Sequence, residues 1–358
     1  MTSDNRTFFQ NTKRVLGYVF PFILTAIFLF AAFKNVDVAE SFRLISHVSI
    51  GYFLIFYFVF MFSHYLRAVR WKYILNSVKP DTSILNLMGA TMVGYGVNCV
   101  VPRLGEIYRP AFLGKWENVS RSSIFGTIIV ERIIDLLALG FAVLISVSVF
   151  PGDLYMEFPW LKSTLYIGFA VMGGIIAVVI LTVRLKHKFY DIIVKFVGFF
   201  SSKAAEKLGY LFQMLTEGFS SLKGRKNYFF TILFSILIMI VYGYNSYLGF
   251  YVLRMNEIKD VTYAMAWIVM SISAFGIVVP TPGGTGSYHA FVMLVLGQIL
   301  NFDNEISGAY ALFTHITSYV SFILSTVIFV YIINNKRAKS GIPKENFFSV
   351  FKLSSGEK

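Results

Sequence analysis

Apolar runs about as long as a bilayer is thick recur along this chain, and they leave it few choices of fold. A hydrocarbon core of about 30 Å takes about 20 helical residues to cross. Within lipid, only a helix or a closed barrel satisfies its own backbone hydrogen bonds. Runs of this kind cover residues 15–33, 48–66, 124–150, 165–183, 229–253, 264–279 and 309–333, with weaker ones at 85–101 and 288–300. Of the 358 residues 56% are hydrophobic and 14% charged, and mean hydropathy is +0.66. The expected fold is all-α, a polytopic integral membrane bundle of about six to eight transmembrane helices. No small-residue cleavage site follows Phe33, where Lys34-Asn35-Val36-Asp37 stands, so the first helix is expected to stay attached.

Two of the apolar stretches are interrupted by nearly the same string. Val100-Val101-Pro102-Arg103-Leu104-Gly105 and Val278-Val279-Pro280-Thr281-Pro282-Gly283 both read V-V-P-x-x-G. Paired Gly/Pro breaks in corresponding halves of a membrane protein point to a site built from broken helices. An inverted repeat and a chance likeness of two short Val/Gly strings are both open readings.

The net charge of +13 is distributed as topology rather than as a nucleic-acid footprint. Lys and Arg collect at residues 6–14, 67–79, 184–226 and 336–344, which the positive-inside rule makes cytoplasmic, while 151–162 and 301–305 carry acids and face outward. Residues 84–121 must then return to the side they left, which a re-entrant hairpin broken at 98–106 accomplishes. The second break, at 276–286, is either spanning or re-entrant. Residues 186–222 read as a basic amphipathic helix on the cytoplasmic interface or as a linker between halves 1–183 and 229–335. The whole membrane domain is expected to occupy 1–335, and the polar, basic tail at 336–358 is expected to be disordered.

Glu131, Arg132 and Asp135 stand inside the run that starts at Ile124, where ionisable groups cost several kcal/mol unless paired or hydrated. Thr127, Glu131 and Asp135 share one helical face, and Arg132 can pair with Asp135 at i,i+3. Arg103 or Arg109, beside the first break, can approach them and offer a bidentate fork to a phosphate, with Glu106 as an orienting partner. A buried structural ion network accounts for the same charges. At the second break, Pro282, Gly283, Gly284 and Gly286 free backbone groups to line a polar cavity or form a plain loop. His289 and His315 serve either a proton relay or ordinary buried hydrogen bonds. The glycine string lacks the Lys of a phosphate-binding loop. The single cysteine, Cys99, excludes an internal disulfide and a Cys-based zinc cluster. No nucleophile with its base is found, and no metal, cofactor or nucleic-acid partner is expected.

Three blocks taken in order, Asn98-x-x-x-Pro102-Arg103-x-Gly105-Glu106-x-x-Arg109, Glu131-Arg132-x-x-Asp135 and Pro282-Gly283-Gly284-x-Gly286, resemble the motifs of the lysylphosphatidylglycerol synthase transmembrane-region family. The likeness runs from about Leu16 to Ile333. It implies a flippase-like inner-membrane domain that handles a modified phospholipid. It also implies a substrate-handling role for Asn98, Arg103, Glu106, Arg109, Glu131, Arg132, Asp135, Pro282, Gly283, Gly284, Gly286 and His289. His289 departs from the resemblance, since many relatives place an acidic residue three positions after the last glycine. Full-length synthases of this family carry a soluble aminoacyl-transfer domain, which this sequence is not expected to contain.

The function expected is movement or handling of an anionic or glycosylated lipid headgroup between leaflets of a bacterial or archaeal cell membrane, with both termini cytoplasmic. The alternative is a membrane enzyme or accessory subunit for aminoacyl or glycosyl transfer to a lipid, for which carboxylates beside a basic cleft would serve as general bases.

Overall fold

The computed structural model describes residues 19–150, 187–207, 209 and 224–352, with isolated positions between 163 and 181. Among them every regular element is helical. The order is α1 (Val19–Phe33), α2 (Val38–Ser46), α3 (Ile50–Leu75), α4 (Ile84–Val100), α5 (Gly105–Glu117), α6 (Arg121–Val149), α7 (His187–Phe200), α8 (Arg225–Val252), α9 (Tyr263–Val278), α10 (Ser287–Met293, continued by a π-helical turn Leu294–Ile299) and α11 (Asn304–Lys339). Helices α3, α8 and α11 are each long and apolar enough to cross a membrane, and α1 with α2, bent by 80°, makes a fourth candidate. This is an all-α membrane protein. The expected amphipathic helix at 186–222 is described only in part, as α7 and a helical stretch at 202–207. The expected run at 165–183 and the basic start at 6–14 lie largely or wholly outside the described residues.

Two features depart from the pattern of apolar runs. Phe33 does not lead into an extended loop: Asp37 caps a new helix by accepting a hydrogen bond from the Glu40 amide at 3.1 Å, and Glu40 then pairs with Arg43 at 2.6 Å. The span beginning near residue 48 also runs on to Leu75. It carries Arg67 and Arg70 as helical residues rather than as loop charges.

Both breaks are turns of antiparallel hairpins. In the first, Glu117 at the end of α5 accepts hydrogen bonds from the Ser83 amide (2.9 Å) and Asn86 Nδ2 (2.8 Å) at the start of α4. At the turn, the Gly105 amide donates to Asn98 Oδ1 at 2.7 Å, and Gly105 lies against the Gly94 carbonyl so closely that a side chain there would collide with it. In the second, Lys259 Nζ donates to the Leu300 carbonyl at 2.9 Å, and a Cβ on Gly276 would meet Tyr288 Cα at 2.6 Å. Helices of 17 and 13 residues form the first hairpin. At 1.5 Å per residue these reach about 25 and 20 Å, short of a 30 Å core. The second hairpin matches, with 16 residues before its break and a helical stretch of similar length after it, from Ser287 to Ile299.

The residues fall into two compact units threaded by the same helices: Met1–Phe60, Met92–Gly105 and Tyr242–Val327 form one, and Met61–Thr91, Glu106–Val241 and Ile328–Lys358 the other. The first holds both breaks and the second the buried charges.

Residues 336–352 of the tail expected to be disordered are ordered, while 353–358 lie outside the described residues. Arg337 Nη1 donates to the carbonyls of Lys115 and Trp116, capping the end of α5. Asn334 and Glu345 exchange two hydrogen bonds (2.6 and 2.9 Å), and the chain then lays Phe347 and Phe351 on Tyr108 and Phe112 of α5. Val350 is fully buried. Residues 340–352 therefore clasp the helix that carries Arg109. The change Phe347→Ala removes two aromatic contacts, and a loss of about 2 kcal/mol is expected. Limited proteolysis should cut the Phe347→Ala protein within 340–352 faster than the wild type, and equal rates would show that the clasp contributes nothing.

Candidate functional site

The buried charges of the second unit form one cluster. Glu131 and Asp135 sit one turn apart on α6, and Thr127, a turn earlier on the same face, accepts a hydrogen bond from Trp71 Nε1 at 3.0 Å. Glu131 Oε1 takes Arg67 at 2.8 Å and Arg70 at 3.2 Å, while Glu131 Oε2 takes Arg109 at 2.7 Å. Asp135 takes Arg67 at 2.7 Å and Arg70 at 2.6 Å. Ser235 of α8 accepts a further bond from Arg70 Nη1. Four helices, α3, α5, α6 and α8, thus converge on two carboxylates.

Burial makes this arrangement expensive to build. Glu131 and Arg70 have no exposed surface and Arg109 only 3%. Charges so placed are stable only when paired, because each ion's desolvation costs several kcal/mol. Among the described residues, three guanidinium groups share two carboxylates in this cluster. The Nε atoms of Arg70 and Arg109 are buried with no hydrogen-bond partner among the described residues. The Arg109 guanidinium carbon lies over the Trp71 ring, 3.7 Å from its centre, a cation–π contact.

The expected partners are met in part. Arg109 reaches Glu131, as the spacing allowed. Arg103 does not join this cluster: it is exposed at the turn of the first hairpin with a left-handed backbone, φ 64°, and belongs to the other unit. Arg132 reaches back to Glu106 Oε1 at 2.6 Å, on the more exposed side of α6, and the ion pairs of Asp135 run to Arg67 and Arg70. Sequence reasoning missed Arg67 and Arg70. The available signal was the apolar sequence that continues past them through Trp71, Ile74 and Leu75, all of them fully buried.

The first unit brings the two breaks together. Tyr319 of α11 donates its hydroxyl to the Cys99 carbonyl at the end of α4, and Gly283 lies between that residue and the Tyr319 ring. A Cβ at Gly283 would sit 3.4 Å from Cys99 Cα and 2.8 Å from the ring. Pro282 and Gly284 are buried in the same turn, and Ser287 ties it by donating to the Gly276 carbonyl at 2.6 Å. Gly286, with φ 85°, holds a conformation that side chains rarely adopt and packs against α1, where a Cβ would meet the Thr25 carbonyl at 2.7 Å. Its amide donates to His289 Nδ1 at 3.2 Å, and His315 Nε2 lies 3.2 Å from the Gly283 carbonyl oxygen. Asn98 is used locally, as the acceptor that caps α5.

Comparison with known proteins agrees with this architecture. A UPF0104 membrane protein of Methanocaldococcus jannaschii is 22% identical over 308 residues, covering 83% of this chain and 89% of the relative. No solved structure matches the chain. The family model for the lysylphosphatidylglycerol synthase TM region matches residues 18–325, which takes in both hairpins, the charge cluster and α11 as far as Ser325, and the chain belongs to that family.

Proposed function

We propose that this protein holds and moves an anionic or glycosylated lipid headgroup across the membrane, without itself modifying the lipid. The observation that carries this reading is the buried cluster of Arg67, Arg70 and Arg109 around Glu131 and Asp135, in which three guanidinium groups share two carboxylates among the described residues. An uncompensated buried cation is costly. A headgroup phosphate offsets that cost and supplies the acceptor that Arg109 Nε lacks. Family membership supports a lipid substrate. The concentration of Lys and Arg at residues 67–79, 184–226 and 336–344 supports a cell-membrane location with both termini inside.

In this mechanism the acyl chains stay in lipid while the headgroup exchanges into the cluster, taking up the free donors of Arg109. Glu131 competes with the phosphate for the same guanidinium, so binding stays reversible. The Glu106–Arg132 pair, half-exposed on α5 and α6, forms the more accessible face of this polar path.

The test is translocation of fluorescent phosphatidylglycerol in proteoliposomes, read with a membrane-impermeant quencher. The variant is Arg109→Gln, chosen because Glu131 keeps Arg67 and Arg70 as partners and the fold survives. A rate at least about tenfold below wild type is expected, as for loss of one charge-assisted contact. A protein that translocates none of the phosphatidylglycerol, phosphatidylethanolamine and glycosyl diacylglycerol probes, or an Arg109→Gln variant as fast as wild type, would overturn the reading.

A further inference from the structure

The two histidines of the first unit differ from the arginine cluster in what they offer a ligand. Their rings are adjacent, with centroids 4.5 Å apart, and both are at least nine-tenths buried. Their protonation pattern follows from their partners. His289 Nδ1 accepts from the Gly286 amide, so in the neutral ring the hydrogen is on Nε2. His315 Nε2 faces the Gly283 carbonyl oxygen, so it carries the hydrogen and Nδ1 keeps a lone pair. Neither His289 Nε2 nor His315 Nδ1 has a hydrogen-bond partner among the described residues. The pair therefore presents one donor and one acceptor on two adjacent rings.

We propose that His289 and His315 form a subsite that reads a hydroxyl of the lipid headgroup, a glycerol or sugar hydroxyl rather than its phosphate. This rests on the lipid-headgroup reading above. A hydroxyl is the common group that both donates and accepts through one atom, which matches a donor and an acceptor on neighbouring rings. A phosphate or carboxylate has acceptors only and would set an oxygen against the His315 lone pair. A metal ion is disfavoured by the same pattern, because the lone pair of His289 is already used by Gly286 and its other nitrogen carries hydrogen. The surroundings suit a carbon-backed polyol: Phe33 lies 5.5 Å from the His289 ring, Tyr319 5.4 Å and Tyr288 6.0 Å from the His315 ring. Gly283, Tyr288 and Tyr319 are only half-buried, so the pair lies just beneath an approachable rim.

The experiment is lipid binding to the purified full chain in detergent, with short-chain phosphatidylglycerol, phosphatidylethanol and glucosyl diacylglycerol as probes. Phosphatidylglycerol and phosphatidylethanol share the phosphodiester and differ in the headgroup hydroxyls. On wild-type protein, phosphatidylglycerol is expected to bind at least about tenfold tighter, since a hydroxyl-lacking headgroup makes neither of these hydrogen bonds. His315→Phe and His289→Phe should bring phosphatidylglycerol down to the affinity of phosphatidylethanol while leaving the latter unchanged. Tight binding of glucosyl diacylglycerol alone, lost in the same variants, supports the subsite with a sugar as the source of the hydroxyl. Equal affinity for all three probes overturns the subsite and leaves the headgroup reading standing. Binding of none of them removes the headgroup reading and the subsite with it. Equal affinities on the wild type overturn the subsite even where a variant fails to fold, and a preference on the wild type is assigned to the pair by whichever histidine variant folds.

Discussion

The change Glu131→Ala is expected to cost about 3–5 kcal/mol of stability, because it breaks a buried ion network from its centre. Arg67, Arg70 and Arg109 all close on this one carboxylate within 3.2 Å. Without it, Arg109 faces the Trp71 ring with no anion among the described residues, and Asp135 is the carboxylate left to Arg67 and Arg70 there. Thermal unfolding of the detergent-solubilised protein reads the loss directly. Asp135→Ala should cost less, since the Asp135 side chain is 17% exposed against 1% for Glu131 and every arginine keeps Glu131. A sign change gives a sharper check: Arg109→Met should destabilise the wild type but stabilise the Glu131→Ala protein, where that cation has lost its partner. A Glu131→Ala protein that melts with the wild type would mean that the cluster does not hold these helices together.

Much of this architecture was legible because membrane depth makes strong demands on local sequence. Continuous apolar runs became α3, α6, α8 and α11. The first hairpin was expected from charge, since Lys and Arg on both sides of residues 84–121, read by the positive-inside rule, put both of its ends on one side. Glu131 and Asp135 stood out because carboxylates at that depth need partners. Their partners were not equally visible. Arg67 and Arg70 begin a stretch that ends in Lys72 and Lys79, so by charge they read as the edge of a cytoplasmic loop. Only the buried Trp71 and Ile74 beside them show that the helix continues inward. Arg103 was expected to approach the carboxylates from the break, whereas its left-handed turn leaves it exposed and outside the ion pairs of Glu131 and Asp135. The tail hid its fold because Phe347 and Val350 depend on α5, more than 200 residues earlier, and a polar segment with a few aromatics carries no local sign of such a partner.

Alanine at Gly105 is expected to open the first hairpin, at a cost of about 3 kcal/mol or more. The backbone there is helical and tolerates alanine by itself, so the argument rests on space. The added methyl would meet the Gly94 carbonyl, which is backbone and cannot rotate aside, and Asn98 Oδ1 at 2.7 Å, which is held by its bond to the Gly105 amide. Relief requires α5 to move off α4, and that strips the cap from the α5 N-terminus. Gly51 is the internal control: nothing lies within 4 Å of its Cβ position, so Gly51→Ala should be neutral or slightly stabilising through helix propensity. Cys99, the chain's single cysteine, is 2% exposed one residue past Asn98 and reports on the turn without further engineering. Maleimide labelling should be slow in wild-type and Gly51→Ala proteins and fast in Gly105→Ala. If Cys99 stays protected in Gly105→Ala and its melting matches wild type, Gly94 and Gly105 are not in contact. If labelling speeds up, the loss should reach the second hairpin as well, because Tyr319 and Gly283 both rest on Cys99. A helix break that served only to turn the chain would not need that second support.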